Sequence, residues 1–395
     1  MKAGWQMKTL GDVCAFDKVQ GIHRGLPYVG LEHIESHTAR FIGSTDPQPV
    51  KSSTFRFSDK HVLYGRLRPY LNKALAPDFE GHCSTEIFPL RPSRDLSREY
   101  LLYWLLADET RERINATCTG ARMPRAQMNE VMGFDFPFPP LPEQQRIVGI
   151  LDEAFDGIAA AKANAEKNLQ NARALFESHL QSVFTQRGEG WVKELIGSVC
   201  DVKHGFAFDG VEFSNDVPAG NPLVITPGNF TEDGRLLFNE KNTKRFSGAP
   251  LDRYRFEIGD LVVVMTDLSS KMKILGKPAF VETNDVLHNQ RIGRVVFLND
   301  RIEKRFLYYF MISEQFLKSI KMSATGTMVK HTAPKRILNN LIPFPRDRKA
   351  QQAIVAQFDF LREETQRLES IYQKRLAALD VLKKSLLHQA FSGHL

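Results

Sequence analysis

Pro142-Glu-Gln-Gln-Arg-Ile-Val-Gly-Ile-Leu-Asp-Glu-Ala154 opens a stretch, reaching to about residue 186, with no further proline and almost no glycine. Within it Ile147, Leu151, Ala154, Ile158, Ala161, Ala165, Leu169, Ala172, Phe176, Leu180 and Val183 stand three or four apart. That spacing averages 3.6 residues per step, the period of an α-helix with one apolar stripe. Pro142 and Glu143 suit the start of the helix, and Gly188 and Gly190 suit its stop. A second stretch, 348–391, repeats the pattern with Ile354, Phe358, Leu361, Leu368, Tyr372, Leu376, Leu379, Leu382, Leu386 and Ala390. Thr365 fills one step, and Asp347 is placed to cap the start. A helix of ~42 residues is ~63 Å long. Its stripe needs a partner helix to bury it.

The rest of the chain explains why there are two such helices. Trp5, Gly11, Val13 and Cys14 recur as Trp191, Gly197, Val199 and Cys200, at an offset of 186. Tyr100-Leu-Leu-Tyr-Trp-Leu-Leu106 matches Phe306-Leu-Tyr-Tyr-Phe-Met-Ile312 at 206, as Thr119-Gly120 matches Thr325-Gly326 and Pro137-Phe-Pro139 matches Pro343-Phe-Pro345. Gln145, Ile147, Val148, Asp152 and Phe184 find Gln352, Ile354, Val355, Asp359 and Phe391 at 207. Offsets that hold within blocks and step between them mark a duplicated unit with insertions in its loops. The division read from this is a domain at 1–140, a spacer helix at 141–188, a second domain at 189–345 and a second spacer helix at 346–395.

Each domain is rich in Gly, Pro and aromatic residues, with short apolar runs such as Asp260-Leu-Val-Val-Val-Met265 and Ile292-Gly-Arg-Val-Val-Phe297 that read as strands. Helical stretches are expected near 97–115 and 303–321. The fold class is α+β: two similar αβ domains separated by a long antiparallel two-helix coiled coil, with pseudo-twofold symmetry. The tight Arg187-Gly-Glu-Gly-Trp191 link sends the second domain off the end of the first helix, so the second helix must run back along it. Two related heads on a spacer suit the reading of two sites a fixed distance apart, as dimeric binders do on duplex DNA.

Composition limits what such an object does. The 395 residues carry 53 Lys and Arg against 46 Asp and Glu, a net charge of +7, with 42% hydrophobic residues. This is the profile of a globular chain, neither disordered nor histone-like. Four cysteines (Cys14, Cys83, Cys118, Cys200) lack a CxxC pair or zinc spacing, and read as buried thiols of a reduced, cytoplasmic protein. The Met1-Lys-Ala-Gly-Trp-Gln-Met start has no apolar signal core, and no run is apolar enough for a membrane span.

At this point the sequence resembles a known family. Pro139-Pro-Leu-Pro-Glu-Gln-Gln-Arg-Ile147 leading into a long helix, after an αβ domain and then repeated, resembles the DNA-specificity subunit of type I restriction–modification systems. Tyr64-Gly-Arg-Leu-Arg-Pro-Tyr-Leu-Asn-Lys73, Cys83-Ser-Thr-Glu86, Gly205-Phe-Ala-Phe208 and Asn289-Gln-Arg-Ile-Gly293 look like strings of its target-recognition domains. One departure is that the second spacer opens with Pro345-Arg-Asp-Arg-Lys-Ala-Gln-Gln352. The resemblance implies a non-catalytic subunit that reads the two halves of a split double-stranded DNA target. It would recruit two methyltransferase subunits and two restriction/translocase subunits. S-adenosylmethionine, ATP and Mg2+ would belong to those partners and no cofactor to this chain.

Catalytic motifs are missing from the sequence. Pro139-Pro140 follows Phe138 rather than the Asp or Asn of an amino-methyltransferase motif, and Ile274-Leu-Gly-Lys-Pro278 is no P-loop because its Lys precedes Pro. Asp347-Arg-Lys349 resembles the end of a nuclease motif but sits at a helix start. The competing readings are a two-headed protein scaffold and a degenerate DNA methyltransferase or nuclease.

The candidate DNA contacts begin with Arg66, Arg68, Tyr70 and Lys73. If extended, alternation puts the first three on one face, with Pro69 confining the segment to an edge or loop. Guanidinium forks suit phosphate or guanine O6/N7, and an ammonium suits phosphate. A solvated edge strand with charged gatekeepers gives the same pattern. The loop Thr119-Gly-Ala-Arg-Met-Pro-Arg125 offers Arg122 and Arg125, and its repeat mate Thr325-Gly-Thr-Met-Val-Lys-His331 offers Lys330 and His331. Lys271 and Lys273 lie in a basic loop after the 260–265 strand. Asn289, Gln290 and Arg291 either read base edges or brace a turn. Residues 141–188 carry 5 basic and 6 acidic groups, which suits protein contacts better than phosphate.

Overall fold

The computed structural model describes residues 4–395 apart from 49, 186, 187, 210, 216, 219 and 250. The Met1 start and Arg187 of the interdomain link lie outside the described residues. Two compact units emerge: one takes the chain up to Asn168 together with Tyr372–Leu395, the other Leu169–Ile371.

In the first unit Cys14–Phe16, Ile87–Pro92, Val62–Gly65 and Ala74–Leu75 form an antiparallel sheet in that order. A second sheet orders Gln20–Gly21, Thr54–Phe57, Gly81–Cys83 and Tyr28–Val29, the last pair parallel. The second unit repeats the first sheet and varies the second. Cys200–His204, Ile292–Phe297, Leu261–Val264 and Pro278–Phe280 form one sheet. Phe213–Ser214, Arg245–Phe246, Leu223–Ile225 and Val286–His288 form the other, its last pair again parallel. A two-stranded ribbon closes each unit: Gln6–Thr9 on Asp135–Phe138, and Trp191–Leu195 on Leu341–Pro345. Duplication in sequence is therefore duplication of the first sheet and of the ribbon, while in the other sheet the parallel pair trades places. Gly81–Cys83 is inside and Tyr28–Val29 at the edge in the first unit, Leu223–Ile225 inside and Val286–His288 at the edge in the second.

The stretches near 97–115 and 303–321 are helical as expected, and each is divided into two helices. Arg98–Leu106 and Asp108–Ala116 meet at Ala107, and Lys304–Ile312 and Glu314–Met322 meet at Ser313; both joints have an extended backbone. Each break frees carbonyls that find other donors. Asn72, buried, donates Nδ2 to Leu106 O at 2.9 Å, and the Ser313 hydroxyl donates to Phe310 O at 2.6 Å.

The long helices are Leu141–Thr185 and Arg348–Ser392. Both starts rest on a buried glutamine. Gln144 donates to Asp95 O and Pro139 O and accepts from Ser97 N–H. Gln351 does the same with Arg301 O, Pro345 O and Glu303 N–H. Asp347 caps the second helix by accepting from Lys349 N–H at 3.0 Å. The helices run antiparallel in each unit: Lys162 pairs with Asp380 in the first, and Arg173 Nε lies 2.7 Å from Glu369 in the second. Ile147, Leu151, Leu387 and Ala390 enter the first unit's core, and Leu180, Phe184, Val355 and Phe358 the second's. The stripe read for the first helix faces inward, and Thr365 is buried. Leu382 is a correction, being 46% exposed. Lys383 takes the inner place, its ammonium on His37 O at 2.9 Å and over the Phe155 ring. The thiols divide as well. Cys14, Cys83 and Cys200 are buried, and burial pushes Cys14 and Cys200 up to about 12; Cys118 is only half-buried.

Among the described residues no helix is long and apolar enough to cross a membrane.

Candidate nucleic-acid interface

In the first unit three segments distant in sequence are hydrogen-bonded into one surface. Arg66 N–H donates to Glu86 O at 2.9 Å, Ala126 N–H donates to Arg66 O at 2.9 Å, and Arg68 N–H donates to Pro124 O at 2.8 Å. The 119–125 loop closes on itself through paired bonds between Thr119 and Arg125, with Gly120 at φ +92°, a conformation glycine adopts freely.

The second unit builds the same arrangement from equivalent positions. Met265 N–H donates to Arg291 O and Thr332 N–H to Met265 O, both at 2.9 Å, while Thr325 and His331 exchange paired bonds. Thr266–Asp267 pairs with Lys330–His331 as a short ribbon. Phe206 of the Gly205–Phe208 string bonds into 288–290, donating to His288 O and accepting from Gln290 N–H. A Cβ on Gly205 would meet His288 O at 2.2 Å, so only glycine lets the two backbones approach this closely.

The side chains sort into free and engaged groups. Arg66 is not on an extended face with Arg68 and Tyr70: the segment leaves its strand at Gly65 and enters a 3-10 turn, Pro69–Leu71. Arg68 precedes that turn at φ +52° and Asn72 follows it at φ +46°, which breaks the alternation. Arg68, Tyr70 and Arg122 are exposed, and among the described residues neither guanidinium has an acidic partner. Arg125 grips both carboxylate oxygens of Glu86, with Nη2 to Oε1 at 2.9 Å, a contact that raises its pKa. Arg66 Nε lies 3.9 Å from the same carboxylate, and its guanidinium sits over the Phe88 ring. Lys73 turns inward, donating to Leu31 O at 2.6 Å.

In the second unit Lys271, Gln290 and Arg291 are exposed without side-chain partners among the described residues. Lys273 pairs with Glu232 at 2.6 Å, which raises its pKa; Lys330 donates to Gly326 O at 2.7 Å; and His331 Nδ1 lies 3.0 Å from the Thr266 hydroxyl. Asn289 is buried and braces its turn, Oδ1 accepting from Arg291 N–H at 2.9 Å. Glu86 and Asp267 are the residues sequence reading misses. Asp267 is buried and holds the 268–274 loop by accepting from Ser269 N–H at 2.8 Å and Ile274 N–H at 3.0 Å. Aligning the two copies turn by turn, rather than searching for basic strings, would have drawn attention to both.

Among the described residues no group of three or more His, Cys, Asp or Glu side chains is placed to hold a metal. What the surface offers is a backbone-braced platform with free guanidinium and ammonium groups, able to pair with phosphate and base edges.

Comparison with known proteins agrees. The type I restriction modification DNA specificity domain model matches residues 2–170 and 188–374. The EcoDI specificity subunit of Escherichia coli is 29% identical over 166 residues, 41% of this chain; the match spans only 36% of that relative's length. The MjaVIII specificity subunit of Methanocaldococcus jannaschii is 24% identical over 311 residues, covering 74% of this chain and 69% of the relative. A chain solved in work on complex assembly and conformational transition of the type I R-M system shares the fold, with a TM-score of 0.81 at 20% identity over 100% of this chain and 99% of that one. The HsdS subunit from Thermoanaerobacter tengcongensis follows, with a TM-score of 0.63 at 21% identity over 100% and 98%. With both copies of its repeat matched, the chain belongs to the type I restriction modification DNA specificity family.

Proposed function

We propose that this chain is the non-catalytic subunit that reads a split double-stranded DNA target, one half with each copy of the repeat. The observation that carries the reading is the recurrence of one three-segment platform in both units, each with unpaired cationic side chains at its surface. A protein-binding scaffold has no need of free cationic side chains on the same platform in both copies, Arg68 and Arg122 in one and Lys271 and Arg291 in the other, whereas a polyanion is bound by them. The phosphate contacts fall to Arg68 and Arg122 in one unit and Lys271 in the other, with Tyr70 beside the first pair. Lys73, Lys273 and Lys330 shape the loops that carry them.

The long helices take the partners. Ala159, Ala160 and Ala163 are exposed on the first helix and offer a small-residue face to a partner helix. In this reading two methyltransferase subunits dock on the chain and two restriction/translocase subunits join them, in the cytoplasm. S-adenosylmethionine, ATP and Mg2+ serve those partners.

The test is binding of the purified chain, with its methyltransferase subunits, to a library of random duplexes. Enrichment of two short blocks separated by an unselected gap is the expected result. Retention of duplex with no enriched sequence overturns it.

A further inference from the structure

The turns that cross between the two sheets of each unit are the same object with opposite charge. In the first unit Glu86 N–H donates to Ser84 Oγ and Ile87 N–H to Ser84 O; in the second Arg291 N–H donates to Asn289 Oδ1 and Ile292 N–H to Asn289 O. Each turn then passes its third carbonyl to the neighbouring loop, Glu86 O to Arg66 N–H and Arg291 O to Met265 N–H. Glu86 and Arg291 therefore occupy one position. The positions around them also exchange: Arg66 becomes Met265, and Arg125 becomes His331.

The consequence is chemical. Glu86 is a carboxylate aimed by Arg125, which takes one lone pair from each oxygen and leaves others for a second donor. Arg291 is exposed, and among the described residues its side chain has no hydrogen bond or ion pair. One platform presents an acceptor braced by cations, the other a lone fork of donors. In the major groove an acceptor selects the exocyclic amino group of cytosine or adenine, and a guanidinium fork selects guanine O6 and N7.

Resting on the DNA-reading function above, we propose that Glu86 and Arg291 are equivalent specificity-determining residues: Glu86 accepts from a base amino group in one half-site, and Arg291 donates to a guanine in the other. Arg125 is the positioning residue for Glu86.

The experiment selects bound sequences from random duplexes with the full chain in its methyltransferase complex, comparing wild type, Glu86→Gln and Arg291→Ala. Arg291→Ala removes a side chain that braces nothing, so its fold is safe. It should lose the preference for guanine at one position, about tenfold or more, and leave the other half-site intact. Glu86→Gln should change one position of the opposite half-site, and the base lost there, cytosine or adenine, identifies the amino group read. If wild type selects two blocks and both variants select the same two blocks, the assignment is overturned while the DNA-reading function stands. If wild type selects nothing, both fall.

Discussion

Gln144 Oε1 accepts the backbone N–H of Ser97 at 2.8 Å, so a side chain in the first turn of a long helix also satisfies the N-terminus of a helix 47 residues earlier. Gln144 is fully buried, and its Nε2 hydrogens go to Asp95 O and Pro139 O. Gln144→Leu takes the partner from three backbone groups, Pro139 O in a buried bond and Ser97 N–H and Asp95 O in part-buried ones, at about 1–3 kcal/mol for the buried group and less for those that water reaches. A total loss of about 2–4 kcal/mol is expected. Hydrogen exchange should quicken over residues 95–106 and stay unchanged over 301–312, where Gln351 does the same work. Equal protection in both segments would refute this.

Arg68 and Arg122 should behave as phosphate ligands and Lys73 should not. Each phosphate ligand replaced by Ala lowers the slope of log K against log salt by about 0.9. Binding titrations from 50 to 200 mM salt should show that drop for Arg68→Ala and Arg122→Ala. Lys73→Ala should keep the slope, because its ammonium is already spent on Leu31 O. A slope change for Lys73 alone reverses the assignment.

His288 gives the second unit a pH dependence. Burial holds its imidazole down at about 4 against an ordinary 6.5, with Nε2 donating to Ile292 O at 2.8 Å. A histidine depressed in the fold binds its proton more readily when unfolded, so stability rises with pH between about 4 and 6.5 and is lost as pH falls through that window. The loss is about 3 kcal/mol at full protonation. The urea midpoint should drop between pH 7 and pH 4.5, and less so in His288→Cys, which installs the residue found at the equivalent Cys83. An equal drop in both proteins would assign the effect elsewhere.

Asp267 should control its loop through geometry rather than charge. Asp267→Ala removes both acceptors for Ser269 and Ile274 N–H, and protease cleavage within 268–274 should rise severalfold. Asp267→Asn, which keeps one acceptor, should fall between. Protection in Asp267→Ala equal to wild type would show that the ribbon Thr266–Asp267 with Lys330–His331 holds the loop unaided.

The exposed alanines give a partner test. Ala160→Trp should reduce co-purifying methyltransferase without altering thermal stability, and native mass measurement of the wild-type complex should give two such subunits per chain. A full complement on the Trp variant places the docking face elsewhere.

Much of the scaffold is legible before any coordinates because its signals are periodic. A 3.6-residue stripe sustained from Ile147 to Val183 has one structural reading, and the runs at 261–264 and 292–297 are apolar enough to be strands. The helix joint at Ala107 is illegible because alanine is the best helix former, and the break depends on Asn72, 35 positions away. The exposure of Leu382 is equally hidden, since Lys383 competes for the inner place with a stem that packs as well as an apolar chain. At the site, sequence brings out the basic strings but not their state. Arg125 and Arg122 look alike on paper, and only the turn carrying Glu86 separates an engaged guanidinium from a free one.

The first compact unit is assembled from both ends of the chain, with all of 169–371 intervening before Tyr372–Leu395 adds Leu387 and Ala390 to its core. Loop closure over about 200 residues carries an entropic cost that grows only as the logarithm of length, but the rate of finding such contacts falls with their separation. During synthesis the second unit, continuous in sequence, reaches its last residue first. The first unit must wait with its core short of Leu387 and Ala390 until the returning helix emerges. Chaperone demand and proteolytic risk in this protein therefore concentrate on the unit that is translated earliest and completed last.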